Sequence, residues 1–375
     1  MSDFDYAIAG AGLSGLSLAR RLVESSPSSS LCLIEPRTIY QRDHVWSFWN
    51  NALATLRPPI KKQWHKWKIR YRKRTRVCES KRYPYCAVLS EDYYDEALNQ
   101  LRSAEKVSLF FGESLTELNY SSANLNLQTD KRAISARLLF DSRPPRFVEE
   151  EFRQEFYGLH IQTAKNVFDS ECVTLMDFSV EKVKLGFHFY YVLPFSATEA
   201  LIESVYVGLD GMSQGEHSRL LANYLKKEFG VERFEQLNVE RGCIPMHSVT
   251  VKQSHPRHYA IGMRGGLVRS STGYAFSAIH QFSDQLAQSL VKSELPEPPE
   301  TLSAKARILD KVLFAYLKER PNDGPLLLSS LFEHASPDAV VRFLSDRSSL
   351  ADDAAIVTAM PRKLELSAIM AKVCV

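Results

Sequence analysis

The chain has 375 residues, of which 45% are hydrophobic and 24% charged, with a net charge of +3. That length buries a large core and allows two or three domains, with the composition of a globular protein. The charge is too small to indicate a nucleic-acid partner, no apolar run reaches the roughly 18 to 20 residues that span a bilayer, and the N-terminus lacks the basic-then-apolar order of a signal peptide.

Residues 5–9 read as a strand, and Gly10-Ala11-Gly12-Leu13-Ser14-Gly15 turns from it into a helix over 16–22. Gly10 suits the tight turn, Gly12 lets backbone approach a pyrophosphate, and Gly15 lets helix and strand pack closely. The helix start offers free N–H groups and a positive dipole end to phosphates. Glu35 ends the next apolar run, 31–35, where it can accept hydrogen bonds from an adenosine ribose, with Arg37 beside it. A dinucleotide site is therefore expected; a glycine turn without ligand is the alternative. Ser25 to Ser30 reads as a helix-to-strand loop.

Residues 61–82 are basic throughout, with Glu79 the only acid, and 67–72 alternate apolar with basic, the period of a strand with one wet face. The run is either a solvated face or, with Trp64, Trp67 and Tyr71 interleaved, a surface for anionic lipid headgroups. A helix is expected over 91–104, then strands over 107–111 and 134–140, with a turn at 141–145. Residues 156–207 look β-rich. A helix near 215–229 follows, then a strand over 259–262 and a glycine turn at Gly265-Gly266. After Gly273 the chain reads as mainly helical, broken at Pro296, Pro298 and Pro299. The cysteines (Cys32, Cys78, Cys86, Cys172, Cys243, Cys374) lack CxxC or Cys/His spacing, and no HExxH occurs. Reduced thiols in a cytoplasmic protein without metal are expected.

The βαβ start gives way to β-rich sequence, and the dinucleotide part returns only near 258–290. That split order suits FAD better than a nicotinamide dehydrogenase, and it resembles the glutathione-reductase-like FAD fold of aromatic hydroxylases. The expected class is α/β: a Rossmann-like FAD-binding fold of the glutathione-reductase/aromatic-hydroxylase type, with an inserted β-rich substrate domain and a helical C-terminal region. The expected division is an FAD-binding domain over 1–60, 105–145 and 255–290. A substrate domain covers 61–104 and 146–254, and the helical region 291–375. Gly262, Gly265, Gly266, Thr272 and Gly273 are expected to lie by the flavin, although Ser-Thr-Gly is also an ordinary helix start.

Several segments together resemble the FAD-dependent lycopene cyclases, specifically the bacterial β-cyclases. His44-Val45-Trp46-Ser47-Phe48 is similar to their HxWSF element and Phe140-Asp141-Ser142-Arg143 to FDxR. Residues 156–161 and 174–178 resemble FxGxxI and LMDF, and 191–196 with 201–203 resemble YxLPFS and LIE. Residues 240–246 and 271–274 resemble ExGxIP and STGY. The resemblance implies cyclisation of the ψ-ends of lycopene to β-ionone rings, giving β-carotene via γ-carotene. It implies reduced FAD with NAD(P)H as reductant, no net redox change, and peripheral association with the inner face of the membrane. An FAD-dependent monooxygenase or polyprenyl reductase on a hydrophobic substrate is the alternative, and a flavin-binding protein without catalysis a third.

Such chemistry needs a carboxylic acid kept protonated in an apolar pocket. Glu203 is the candidate: it sits in an apolar run where an acid is costly unless used or paired, and it matches the first acid of the family's paired-acid motif. Ser204 stands where the second acid is expected. An outward-facing edge acid is the competing reading of Glu203. Trp46, Phe48 and Tyr274 are expected to line the substrate, Trp46 and Phe48 with cation–π attraction or plain core packing as alternatives. His44 either orients flavin or substrate or bonds within its loop. Asp141 suits a turn cap better than catalysis, and Asp177 is ambiguous.

Overall fold

The structure is a computed structural model that describes residues 2–50, 58–121, 124–145, 152–179, 186–246, 255–300 and 302–361. Cys374 and the last stretch of the expected helical region lie outside the described residues. From the N-terminus, β1 (Ser2–Ala9), α1 (Leu13–Ser25) and β2 (Leu31–Glu35) form the βαβ start. Then come β3 (Val45–Trp49), β4 (Ile60–Trp64), β5 (Lys66–Tyr71), β6 (Arg74–Glu79) and β7 (Tyr85–Leu89). After α2 (Ser90–Arg102) follow β8 (Val107–Phe111), β9 (Leu115–Tyr120), β10 (Leu125–Thr129) and β11 (Ala133–Asp141). The β-rich part holds β12 (Arg153–Gln162), β13 (Cys172–Asp177), β14 (Gly186–Pro194), β15 (Glu199–Gly208), α3 (Gln214–Phe229) and β16 (Glu235–Pro245). Last come β17 (His258–Ala260), α4 (Phe276–Lys292), α5 (Ala304–Glu319), α6 (Gly324–His334), α7 (Pro337–Leu344) and α8 (Leu350–Ala359).

Three sheets result. The first has the order β8-β2-β1-β11-β10-β9, with β17 also on β11. Its β8, β2, β1, β11 and β17 pair in parallel, and the central strands β2, β1 and β11 bury apolar residues on both faces, as helix-covered parallel strands require. The second sheet has the order β16-β12-β15-β14-β13-β5-β6, and the third is β3-β7-β4. Helices α1, α2 and α4 pack together on the first sheet. The Ser17 hydroxyl meets the Tyr93 hydroxyl at 2.7 Å and Arg20 pairs with Glu96 at 2.6 Å, so α2, from the segment expected in the substrate domain, lies against the dinucleotide helix.

Local signals explain several ends. The Ser213 side chain accepts from Glu216 N–H in a capping box that starts α3, and Gly230 closes that helix at φ +65°. In β5 the alternation is real: Trp67 and Ile69 are buried while Lys66 points out. Trp64 and Trp67 are only 2% and 0% exposed, which corrects their expected place at a lipid surface. They serve the core between β5 and the C-terminal helices, and the outward face of the segment carries its cations together with Thr75, Val77 and Glu79.

Candidate active site

The glycine turn forms one end of a cavity of about 850 Å³. Gly10 has φ +92°, and its N–H donates to the Ile34 carbonyl at 2.8 Å. A Cβ on Gly15 would lie 2.0 Å from the Gly10 carbonyl oxygen, so strand and helix close only over glycine. Gly12 differs: a Cβ there meets nothing nearer than Arg37 Nη2 at 3.9 Å. Gly12 is also the N-cap of α1 and caps it with no side chain, leaving the N–H groups at the Leu13–Ser14 end beside the cavity. Glu35 is 4% exposed; it accepts the Ala11 N–H at 2.7 Å and Arg37 Nε at 2.9 Å. Gly12, Leu13, Ser14, Glu35, Arg37, Thr272, Gly273 and Tyr274 all line the cavity. Ala11, Gly15, Gly262, Gly265 and Gly266 do not; they shape its wall. A Cβ on Gly262 would strike Ser14 Oγ at 2.4 Å and one on Gly265 the Ala260 carbonyl at 2.5 Å.

The second sheet supplies the floor as three cross-strand rows, because alternate residues of a strand share a face. Tyr191, Glu203, Gly158 and Glu240 are directly opposite one another across β14, β15, β12 and β16. The next row is Phe189, Val205, Phe156 and Gly242, and the third Phe187, Val207, Gln154 and Ile244. One row is polar and two are nearly hydrocarbon. Leu331 and Phe332 of α6 and Leu344 of α7 add apolar wall.

Glu203 is therefore no edge acid: β15 is an interior strand, and the carboxyl faces the cavity. Its partner was missed from sequence. Gly158 lies between the two acids, and a Cβ there would sit 3.0 Å from the Cγ of both Glu203 and Glu240. Without that side chain the two carboxyl groups hydrogen-bond across β12. Burial raises the pKa of both, and the neighbouring Glu203 carboxyl pushes Glu240 higher still. The Val45 N–H donates to Glu240 Oε2 at 2.8 Å. Glu240 is thereby biased towards its protonated form beside Glu203. The Glu240, Gly242, Ile244 alternation in β16 was the available signal, but register across non-sequential strands cannot be read from one sequence.

Ser204 faces the other way. Its hydroxyl lies 2.6 Å from His188 Nε2 and 2.8 Å from His217 Nδ1, under α3. Burial drops His188 to about 3 and lowers His217, so this is a neutral packing cluster outside the cavity.

Strand β3 stands over the polar row. Ser47 Oγ accepts from the Tyr191 hydroxyl at 2.7 Å and the Tyr85 hydroxyl at 3.0 Å. Trp46 lines the cavity while packing edge-on against Tyr93 and Tyr94. Phe48, expected beside substrate, is instead 3% exposed and stacks on Phe276 at 4.4 Å. Strand alternation turns it into the α4 core, and Trp49 takes the place at the cavity. His44 lines the cavity, and burial lowers its pKa, favouring the neutral ring. Asp141 accepts Arg143 N–H at 3.1 Å and pairs with its guanidinium, holding the turn after β11. Asp177 accepts from Tyr224 at 2.9 Å and pairs with Arg70 at 3.1 Å. Both acids are structural.

The fold defines the class: the Rossmann-like α/β fold seen in flavoproteins and FAD-dependent monooxygenases. A geranylgeranyl bacteriochlorophyll reductase-like protein from Thermoplasma acidophilum covers 100% of both chains at 13% identity and TM-score 0.63. A flavoprotein/dehydrogenase from Cytophaga hutchinsonii covers 99% of this chain and all of its own at 15% identity and TM-score 0.65. The chain belongs to the lycopene cyclase protein family, whose model matches residues 5–369. Lycopene beta-cyclase from Pantoea ananas is 23% identical over 98% of this chain and 97% of its own. The enzyme of that name from Pseudescherichia vulneris is 25% identical over 95% and 94%.

Proposed function

We propose that the protein cyclises the ψ-ends of lycopene to β-ionone rings, forming β-carotene through γ-carotene with no net redox change. The observation that carries this reading is the pairing of buried Glu240 with half-buried Glu203 at the polar end of an otherwise apolar cavity. A protonated carboxyl of the pair donates its proton to the less substituted carbon of the terminal alkene, forming a C–H bond and leaving the cation on the other, tertiary carbon. The next double bond along the polyene attacks that cationic carbon, the new C–C bond closes the ring, and the positive charge moves onto the ring. A ring C–H proton then returns to the carboxylate, so protons balance within the pair. The apolar rows hold the polyene and exclude the water that would capture the cation.

The uncapped start of α1, the open space at Gly12, and Glu35 suit a dinucleotide pyrophosphate and ribose, with Thr272, Gly273 and Tyr274 along the flavin and His44 and Trp46 near the reacting end. Bound reduced FAD supplies electron density beside the cation, with NAD(P)H as its reductant. The exposed Arg72, Lys73 and Arg76 of the β5–β6 hairpin suit docking on the anionic inner face of the membrane; no helix among the described residues is long and apolar enough to cross it. A division into FAD-binding, substrate and C-terminal helical parts remains part of this proposal, with α2 packed on α1 and β3 paired with β7 across the expected boundary.

Expression in a lycopene-accumulating bacterium, followed by pigment analysis, tests the reading. β-Carotene formed anaerobically with reduced FAD supports it. Oxygen consumption with a hydroxylated product, or a product two hydrogens heavier, returns the chain to the monooxygenase or reductase reading.

A further inference from the structure

One amide interrupts the two hydrocarbon rows of the cavity floor. Gln154 lines the cavity from β12, directly opposite Val207 on one side and Ile244 on the other, with Phe187 beyond Val207. The residue is half-buried, and its side-chain amide has no hydrogen-bond partner among the described residues. It stands beside the loop before α4: a Cβ on Gly273 would lie 3.8 Å from Gln154 Nε2 and 3.3 Å from Ile244 Cδ1. The N–H groups of that loop are already committed. Those of Thr272 and Gly273 donate to the Arg269 carbonyl at 3.2 and 2.8 Å, and that of Tyr274 donates to Thr272 Oγ1 at 3.3 Å.

An amide facing apolar side chains is satisfied while water fills the space, and it is left unpaired once a hydrocarbon displaces that water. Of the two ligands assigned to this cavity, the polyene has no heteroatom to offer. The flavin does: the pyrimidine end of its ring presents C=O, N–H and C=O along one edge, in the oxidised and the reduced form alike. A primary amide carries a donor and an acceptor side by side and so matches such an edge with one donated and one accepted bond. We propose that Gln154 binds the pyrimidine edge of the flavin, its Nε2 donating to a ring carbonyl and its Oε1 accepting from the ring N–H. The inference deepens the FAD reading above and rests on it.

The position gives the amide a consequence for the reaction. Gln154 and Gly158 project from the same face of β12, because alternate residues of a strand share a face. Gly158 is the residue that separates the two carboxyls. The strand that sets the Glu203–Glu240 pair would thus also hold the flavin ring, fixing both against the same end of the polyene. The competing partner for Gln154 is an oxygen on the end group of an oxygenated polyene.

The test changes both sides of the contact. Apo wild type and apo Gln154→Leu are dialysed to equilibrium against oxidised FAD and against FAD methylated at the ring N–H, and bound flavin is read by absorbance. Gln154→Leu should bind FAD about tenfold more weakly than wild type, a change of about 1.4 kcal/mol. The methyl group should weaken binding to wild type by about tenfold and binding to Gln154→Leu hardly at all, since the partner is already gone. Apo Gln154→Leu should melt no lower than apo wild type, because the amide has no partner to lose. Should the leucine lower the melting temperature, Gln154→Met, an unbranched side chain of the same length, takes its place with the same expectation. A methyl group that costs wild type nothing, or costs both proteins equally, overturns the role of Gln154 and leaves the FAD reading standing. Unchanged FAD affinity in Gln154→Leu with selective loss of turnover on a hydroxylated polyene also overturns it and gives the amide to the substrate. If wild type binds neither flavin, the FAD reading fails and the inference falls with it.

Discussion

Glu203 and Glu240 share a site only because the residue between them is glycine. Burial and the neighbouring carboxyl together bias the pair towards a retained proton. Glu203→Gln and Glu240→Gln each keep shape and hydrogen bonding but remove the proton. General acid–base groups contribute about 10²–10⁴-fold in rate. Each variant should therefore remain folded and bind flavin while pigment analysis shows uncyclised lycopene accumulating, with β-ring formation slowed in that range. The pH dependence has a definite sign. The folded pKa values are raised, so the pair binds protons more tightly in the folded state than in the unfolded chain. Its stabilising contribution is full below the unfolded value of about 4.3 and declines as pH rises through the raised folded values. Thermal unfolding of wild type should show falling stability across that window, and Glu240→Gln should flatten the slope. An unchanged slope would mean that Glu240 titrates as an ordinary surface acid.

Elements differ in how far a single sequence reveals them. The strand of the glycine turn, β2, β8, β11 and α3 announce themselves by continuous apolar runs, the turn glycines and a capping box. Strands β9, β10 and β16 do not, because their wet faces carry ordinary polar residues and only their sheet neighbours define them. Register hides most: Glu240 opens the segment that resembles ExGxIP, but its meeting with Glu203 depends on β12 lying between β15 and β16, an order unrelated to sequence. The β5–β6 hairpin is the converse case. Its alternation predicts a strand correctly, yet the tryptophans that suggested lipid insertion are core, and Arg70 is committed to Asp177 and to Glu228 at 2.5 Å. What remains for a membrane is charge. Arg72, Lys73 and Arg76 are exposed, and each cation near an anionic surface contributes roughly 1 kcal/mol. Replacing all three with Gln should weaken sedimentation with phosphatidylserine vesicles by about two orders of magnitude at low salt, leaving flavin content unchanged. Equal sedimentation of variant and wild type would make the hairpin an ordinary solvated edge.

At the scale of the whole molecule, the cavity lies where all three sheets meet: the glycine turn from the first, Ser47 and Tyr85 from the third, and the carboxyl pair from the second. A ligand lying along it touches residues of all three sheets. Flavin should accordingly stabilise the entire fold. A ligand at 100 times its dissociation constant adds about 2.7 kcal/mol when the unfolded chain does not bind it. Gly12 allows that effect to be isolated. A side chain there meets only the tip of Arg37 at 3.9 Å, so Gly12→Val folds without a clash, yet its methyl groups occupy the approach to the α1 N-terminus. Apo wild type and apo Gly12→Val should melt at similar temperatures. Adding FAD should raise the wild-type melting temperature and leave that of Gly12→Val unmoved, with yellow absorbance lost from the purified variant. Gly15→Ala supplies the contrast: its Cβ would be driven into the Gly10 carbonyl, so the apo protein itself should lose stability. If Gly12→Val kept both its colour and its FAD-induced shift, the pyrophosphate would have to bind away from this turn.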